Sequence, residues 1–137
     1  MTNYFPFRKI YAKEDIFKQT RERFRPELEA FKSYAEFLSL RKGNVKVESN
    51  KAGSYMNYLV RSIIFYEEIF KEPFPPFDSL EAHQAVEMLK NIPTFKGFNT
   101  SESRFMSASI NAFQSYVIQL NALYEHAIDY QIDQQIF

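Results

Sequence analysis

The chain has 137 residues and a mass of 16.3 kDa, which is enough for one domain that buries roughly 68–70% of the surface of its unfolded form. It contains no cysteine, which excludes disulfide bonds and thiolate metal sites. No apolar run reaches the roughly 18 residues that span a bilayer, and the amino-terminal MTNYFPFRKIYAKED lacks the hydrophobic region of a signal peptide. We therefore expect a cytoplasmic protein with no membrane partner.

The net charge of zero hides an uneven distribution along the chain. Residues 1–71 hold 14 Lys and Arg against 9 Asp and Glu, whereas residues 72–137 hold 3 against 8. A basic first half is compatible with a nucleic-acid footprint on one side of the fold. A charge asymmetry alone selects no partner, so attraction between the two halves, within the fold or in a dimer, is the alternative.

The first third of the chain predicts an arm and two helices. Residues 1–12 are predicted to be an extended arm, and residues 13–25 an amino-terminal helix. Pro26 suits the first turn of a second helix, because a proline there loses no hydrogen bond. The apolar stripe of that helix consists of Leu28, Phe31, Ala35 and Leu38. The polar segment RKGNVKVESN at 41–50 is predicted to be a loop.

A third helix is predicted over 51–70, KAGSYMNYLVRSIIFYEEIF, with too many apolar positions for a surface helix. The segment KEPFPPF stops it, because its prolines do not fit a helix interior. Asp78 or Ser79 then caps a short fourth helix that ends near Asn91.

The segment at 92–103, IPTFKGFNTSES, is predicted to be a second loop. The last helix begins near Glu102, capped by Ser101, and runs at least to Tyr124. A helical extension over 125–137 completes the chain. These elements predict a single all-α domain over 1–137: a compact bundle of four core helices, formed by residues 26–124, plus the amino-terminal helix.

The chain lacks the sequence patterns of the common catalytic sites. It has two histidines, His83 and His126, on different predicted helices, and no HExxH, glycine-rich phosphate loop or G-x-S-x-G turn. We therefore expect a binding or structural module rather than an enzyme, without metal, cofactor or small-molecule substrate.

Two predicted helices carry similar polar lines at spacings of three and four, so each line occupies one helix face. The third helix carries Lys51, Ser54, Asn57 and Arg61, and the last helix carries Arg104, Ser107, Asn111 and Gln114. Such side chains donate hydrogen bonds to phosphate oxygens and can read base edges. The alternative is an ordinary solvated face on each helix. Further phosphate contacts are expected from Arg21, Arg23 and Arg25 or from Arg41, Lys42 and Lys46.

Three segments together resemble the amino-terminal core-binding domain of phage integrases and other tyrosine recombinases. They are FKSYAEFLSL at 31–40, KAGSYMNYL at 51–59 and SESRFMSASINAF at 101–113. The resemblance implies a SAM-like helical module of a phage or mobile element that grips double-stranded DNA. The catalytic domain of that family has no counterpart here, so we expect a domain of a larger recombinase-like or nuclease protein, or a stand-alone DNA-binding relative.

The competing hypothesis is a helical protein-interaction or assembly module with no nucleic-acid role. Fifteen Phe and nine Tyr are present, most of them at helical spacing where they form a core. Four phenylalanines fall in the two proline- and glycine-containing segments: Phe74, Phe77, Phe95 and Phe98. They either plug the ends of the bundle or form an exposed patch for a partner helix or a second copy of the chain.

Overall fold

The structure is a computed structural model that describes the backbone of residues 3–41 and 51–136 and the side chains of residues 3–38 and 51–122. This part of the chain forms six helices and no strand, so the all-α prediction is confirmed. The helices are α1 (Asp15–Arg23), α2 (Arg25–Arg41), α3 (Lys51–Phe70), α4 (Leu80–Lys90), α5 (Phe95–Ser101) and α6 (Phe105–Ile136). Among the described residues, no helix combines the length and the hydropathy that crossing a membrane requires.

α3 is the central helix of the bundle and packs against α1, α2, α4 and α6. Residues 51–58 include one buried residue, Ala52, whereas the helix is buried on nearly every side from Leu59 to Tyr66. Arg61 is the one residue of that stretch that is not fully buried. The predicted bounds of this helix, 51–70, are confirmed.

The structure decides between the residues that the sequence offers as caps of α4 and α6. The Ser79 hydroxyl accepts a hydrogen bond from the Ala82 N–H at 3.3 Å, so Ser79 rather than Asp78 caps α4. The Ser101 hydroxyl donates to the Phe98 carbonyl at 2.6 Å, and the prediction that it caps the last helix is wrong.

The segment predicted as the second loop, 92–103, contains the helix α5. Phe95 and Phe98 lie three positions apart on one face of it, and both are buried in the core. Tertiary burial thus forms a short helix from residues of low helix propensity, which the local sequence did not indicate. Ser103 and Arg104 follow with φ of 55° and 64°, and this left-handed turn delays α6 until Phe105.

The four phenylalanines of the two segments predicted as connections, Phe74, Phe77, Phe95 and Phe98, are all buried, so they plug the bundle and form no exposed patch. Phe74 and Phe77 pack around Phe113 of α6, with ring centroids 6.0 and 5.0 Å away. Phe7 of the amino-terminal arm packs against Phe95 and Phe98, with ring centroids 5.6 and 5.5 Å away. The arm therefore contributes to the core.

Candidate nucleic-acid interface

Arg61 is the best-defined member of the polar line on α3. Its Nε donates to the Ile10 carbonyl of the arm at 2.8 Å. Its guanidinium carbon lies 4.7 Å from the ring centroid of Tyr58 and 5.3 Å from that of Phe17. Two cation–π contacts and one hydrogen bond therefore fix the guanidinium. Within the part of the chain that the structure describes, its terminal nitrogens have no carboxylate partner.

Arg21 of α1 packs on the same Phe17 ring as Arg61, with its guanidinium carbon 5.9 Å from the ring centroid. Arg21 also lines a depression of about 200 Å³ between α1, α2 and the first half of α3, together with Arg25, Met56 and the carboxylate-bearing Glu29. We call the surface formed by Arg21, Lys51, Ser54, Asn57 and Arg61 the basic face. Lys51 is exposed there, and Ser54, Asn57 and Arg61 are half-buried.

Two other arginines expected to contact phosphate are engaged with carboxylates. Arg23 donates two hydrogen bonds to Glu67, at 2.9 and 2.7 Å, and Arg25 donates to Glu22 at 2.9 Å. The bond from Arg23 is the main reason that the pKa of Glu67 lies below its ordinary value. Arg21 is thus the member of this trio without a salt bridge among the described residues.

Carboxylates border the basic face as well: Glu29 lines the depression beside Arg21, and Glu102 lies near Tyr58. Glu102 accepts a hydrogen bond from the Tyr58 hydroxyl at 3.4 Å and forms a salt bridge with Lys9 at 3.5 Å. Burial is the main cause of the raised pKa of Tyr58; Glu102 adds to it, and the positive charge of Arg61 opposes it. The surroundings of Tyr58 therefore hold the cations Lys9 and Arg61 as well as the carboxylate of Glu102.

The polar line on α6 faces α4 and α5 rather than the basic face. Gln114 is 8% exposed and donates to the Glu87 carboxylate at 2.8 Å, so the expectation that it lies on an open polar face is wrong. The Asn111 side-chain oxygen accepts from the Lys90 ammonium at 3.4 Å. The spacing in the sequence correctly placed Asn111 and Gln114 on one face of α6. It did not predict that α4 contacts that face.

The remaining members of that line belong to the junction between α5 and α6. The Ser107 N–H donates to the Asn99 Oδ1 at 2.9 Å, and the Asn99 Nδ2 donates to the Ser107 hydroxyl at 3.0 Å. Asn99 therefore caps α6 from outside the helix, and Ser107 is part of that cap. Arg104 is exposed in the left-handed turn.

The phosphate contacts expected from the cations at the start of the 41–50 segment stay a prediction. Arg41 is the last residue of α2, and its side chain lies outside the described residues, as do Lys42 and Lys46. Glu68, near the end of α3, forms a two-pronged salt bridge with Arg8 and has no part in the basic face.

The residues that the structure describes form an all-helical bundle with a basic surface where the arm, α1 and α3 meet. No family model, no curated protein and no solved structure matches the chain. The functional inference therefore depends on the geometry of the basic face.

Proposed function

We propose that the chain is a non-catalytic module that binds double-stranded DNA through the basic face. The observation that carries the proposal is the arrangement of Arg21 and Arg61 around the Phe17 ring, without carboxylate partners among the described residues. Phosphate is the ligand that such an arrangement suits, because each guanidinium offers several donors in a fixed plane.

The packing of Arg61 supports this function energetically. A long side chain that binds a ligand normally loses rotamer freedom, at a cost of about 0.5–1.5 kcal/mol. The Ile10 carbonyl and the two aromatic rings already hold Arg61 in one position, so much of that loss precedes binding. Lys51 and Arg21 add charge, and the side chains of Ser54 and Asn57 add neutral donors beside them.

The proposal includes the finer interpretation of the fold and location. The SAM-like type of the integrase core-binding domain rests on the sequence resemblance, and the cytoplasm is where a module of a mobile element would meet duplex DNA. The proposal departs from the expectation drawn from the two polar lines, because it assigns the DNA contacts to α3 with α1 rather than to α3 with α6. Arg41, Lys42 and Lys46 extend the same contact in the proposal.

The test is fluorescence anisotropy with labelled duplexes of several unrelated sequences at about 50 and about 200 mM salt. Each phosphate contact contributes about −0.9 to the slope of log affinity against log salt concentration. We expect Arg21→Gln and Arg61→Gln each to reduce the slope by about that amount and to weaken all duplexes alike. Absence of binding by the parent chain at the lower salt concentration contradicts the proposal.

The matched control is Lys96→Gln, which removes an exposed cation from α5 without touching the basic face. Its slope should equal that of the parent chain. Thermal melting of each variant separates loss of binding from loss of folding, which matters for Arg61 because it also anchors the arm. Equal slopes for the control and the two arginine variants would assign binding to overall charge and not to this face.

A further inference from the structure

An apolar groove of about 400 Å³ lies where the α1–α2 junction, the proline-rich segment before α4 and the middle of α6 meet. Six of its lining side chains are Phe24, Pro26, Ala30, Pro76, Tyr116 and Leu120. The volume falls within the roughly 300–1,000 Å³ typical of ligand sites. None of these residues belongs to the basic face.

The floor of the groove is preformed by the aromatic core. The ring of Phe24 stacks on that of Phe77, with centroids 5.5 Å apart and planes inclined by 18°. Phe77 packs edge-on against the buried Phe113 at 5.0 Å, and Tyr116 packs edge-on against Phe31 at 5.8 Å. An incoming apolar side chain would therefore meet rings that the fold already holds in place.

The rim of the groove is acidic. Glu27 and Asp78 line it and are exposed, and neither carboxylate has a salt bridge or a side-chain hydrogen bond within the described part of the chain. Both face Tyr116: its pKa is raised mainly by burial and further by the charges of Asp78 and Glu27. None of the lining residues carries a positive charge.

We propose that this groove binds a segment of a partner protein in which an apolar side chain is flanked by lysine or arginine. The apolar side chain covers the rings of Phe24 and Phe77, and the flanking cations pair with Glu27 and Asp78. Charge complementarity selects this occupant over nucleic acid, whose phosphates both carboxylates repel. The chain would then carry two surfaces for ligands of opposite charge, and the groove is independent of the DNA proposal.

The test is an amide chemical-shift titration of the labelled chain with two peptides, acetyl-Lys-Phe-Lys-amide and acetyl-Glu-Phe-Glu-amide. The peptides share the apolar anchor and differ in charge. We expect the basic peptide to shift the amides of Ala30, Asp78 and Leu120, and to bind at least about tenfold more tightly than the acidic one. Equal affinities, or shifts confined to other regions, would overturn the proposal.

Variants locate the site. Ala30 is exposed, so Ala30→Arg places a cation in the groove without disturbing the core and should abolish the shifts. The double variant Glu27→Gln with Asp78→Asn should bring the two peptides to similar affinity. Ile118→Arg is the matched control, because Ile118 is 55% exposed on the same helix as Leu120 but does not line the groove. A loss of binding in Ile118→Arg equal to that in Ala30→Arg contradicts the assignment.

Two further measurements exclude other occupants. If phenethylamine binds as tightly as the basic peptide, the groove is a site for small amines and the proposal of a protein segment fails. If light scattering shows a dimer that Ala30→Arg dissociates, the occupant is a second copy of the chain and the proposal also fails. A monomer that binds the peptide better than the amine supports it.

Discussion

Lys71 ends α3 in a left-handed conformation, with φ of 58°. Its N–H donates to the Glu67 carbonyl at 3.1 Å, and Pro73 follows two positions later. A residue with a Cβ in this conformation costs roughly 1–2 kcal/mol relative to the right-handed one, which is why glycine is common at this position of a helix end. The end of α3 thus contains local backbone strain.

Replacing this residue should stabilise the protein. Lys71→Gly relieves the strain at a smaller entropic cost, so we expect the free energy of unfolding to rise by about 0.5–1 kcal/mol. The measurement is chemical denaturation at neutral pH. In the control Lys96→Gly the same change falls inside α5 and should lower stability by about 1 kcal/mol. A lower stability of Lys71→Gly would show that its side chain matters more than its backbone.

Glu67 joins three parts of the fold through one carboxylate. It accepts two hydrogen bonds from Arg23 of α1 and one from the Phe74 N–H, at 2.9 Å, in the proline-rich segment. Its pKa is lowered from the ordinary 4.5, mainly by Arg23 and further by the Phe74 N–H, against the opposing effect of burial. Because these hydrogen bonds form only in the folded state, the ionised Glu67 carboxylate stabilises the fold.

The sign of the pH dependence follows from that lowered pKa. The stabilisation is fully present above pH 4.5 and is lost as the pH falls through the lower pKa of the folded state. We expect Glu67→Gln to lower the free energy of unfolding at pH 7 by about 1–3 kcal/mol, and to lose less stability than the parent chain on acidification. Denaturation curves between pH 7 and pH 3 measure both effects.

The control for this prediction is Glu81→Gln, an exposed carboxylate of α4 without a salt bridge among the described residues. It should change the stability at pH 7 by no more than about 0.5 kcal/mol. A parallel pH dependence of the parent chain and Glu67→Gln would show that other carboxylates dominate acid unfolding.

At the scale of elements, the amino-terminal arm and α5 depend on each other. The Thr94 hydroxyl donates to the Phe5 carbonyl at 2.9 Å, and Phe7 packs between rings of α3 and α5. Gly97 of α5 lies directly against the arm: a Cβ on it would be 2.7 Å from the Tyr4 Cε1, closer than contact distance. Gly97 therefore provides space for Tyr4.

Two glycine-to-alanine changes test this dependence. Alanine favours a helix over glycine by about 1 kcal/mol, and nothing lies within 4 Å of a Cβ on Gly53, so Gly53→Ala should stabilise α3 by up to that amount. Gly97→Ala should gain less stability or lose it, because Tyr4 must move. Hydrogen exchange should show the Phe7 amide, which bonds to the Tyr4 carbonyl, opening faster in Gly97→Ala alone. Equal stabilisation by both changes would contradict the close packing.

The elements differ in how well the local sequence predicts them. The bounds of α3 follow from Pro73 and from the apolar period, and the Ser79 cap marks the start of α4, since these signals are local. α5 depends on burial of Phe95 and Phe98 by the distant arm, which no local pattern shows. Its seven residues, FKGFNTS, include a glycine and three small polar side chains that ordinarily indicate a loop.

At the scale of the whole molecule, aromatic side chains connect most of the elements. Phe113 of α6 is fully buried and touches Phe31 of α2 together with Phe74 and Phe77 of the proline-rich segment. Each pair lies at 5.0–6.0 Å with inclined planes, the geometry that the ring quadrupole favours. Phe113 therefore lies at the centre of the packing between α2, α6 and the connection to α4.

Truncation of this side chain should be among the most damaging changes in the core. We expect Phe113→Ala to lower the free energy of unfolding by about 3–5 kcal/mol and Phe113→Leu to lower it by less, since leucine refills part of the cavity. Phe37→Ala is the matched control, because Phe37 is 55% exposed on α2. Urea denaturation of the three variants measures the order, and a cost for Phe37→Ala equal to that for Phe113→Ala would contradict it.

The candidate site shows the limit of sequence patterns at this scale. The spacing of Ser54, Asn57 and Arg61 placed them on one helix face, and in the structure Arg21 packs on the same Phe17 ring as Arg61. The same reasoning placed Gln114 on a second open face, where α4 in fact covers it. Periodicity defines which residues share a face, whereas the neighbour of that face depends on contacts between residues far apart in sequence.

The bond between Thr94 and Phe5 spans 89 positions of the chain, and this separation has a consequence for biosynthesis. The arm leaves the ribosome before α5, which buries it. Phe7, which is buried in the folded protein, lacks its partners Phe95 and Phe98 until α5 is made. Nascent chains stalled before α5 should therefore expose the apolar residues of the arm, which makes them substrates for ribosome-associated chaperones until α5 emerges.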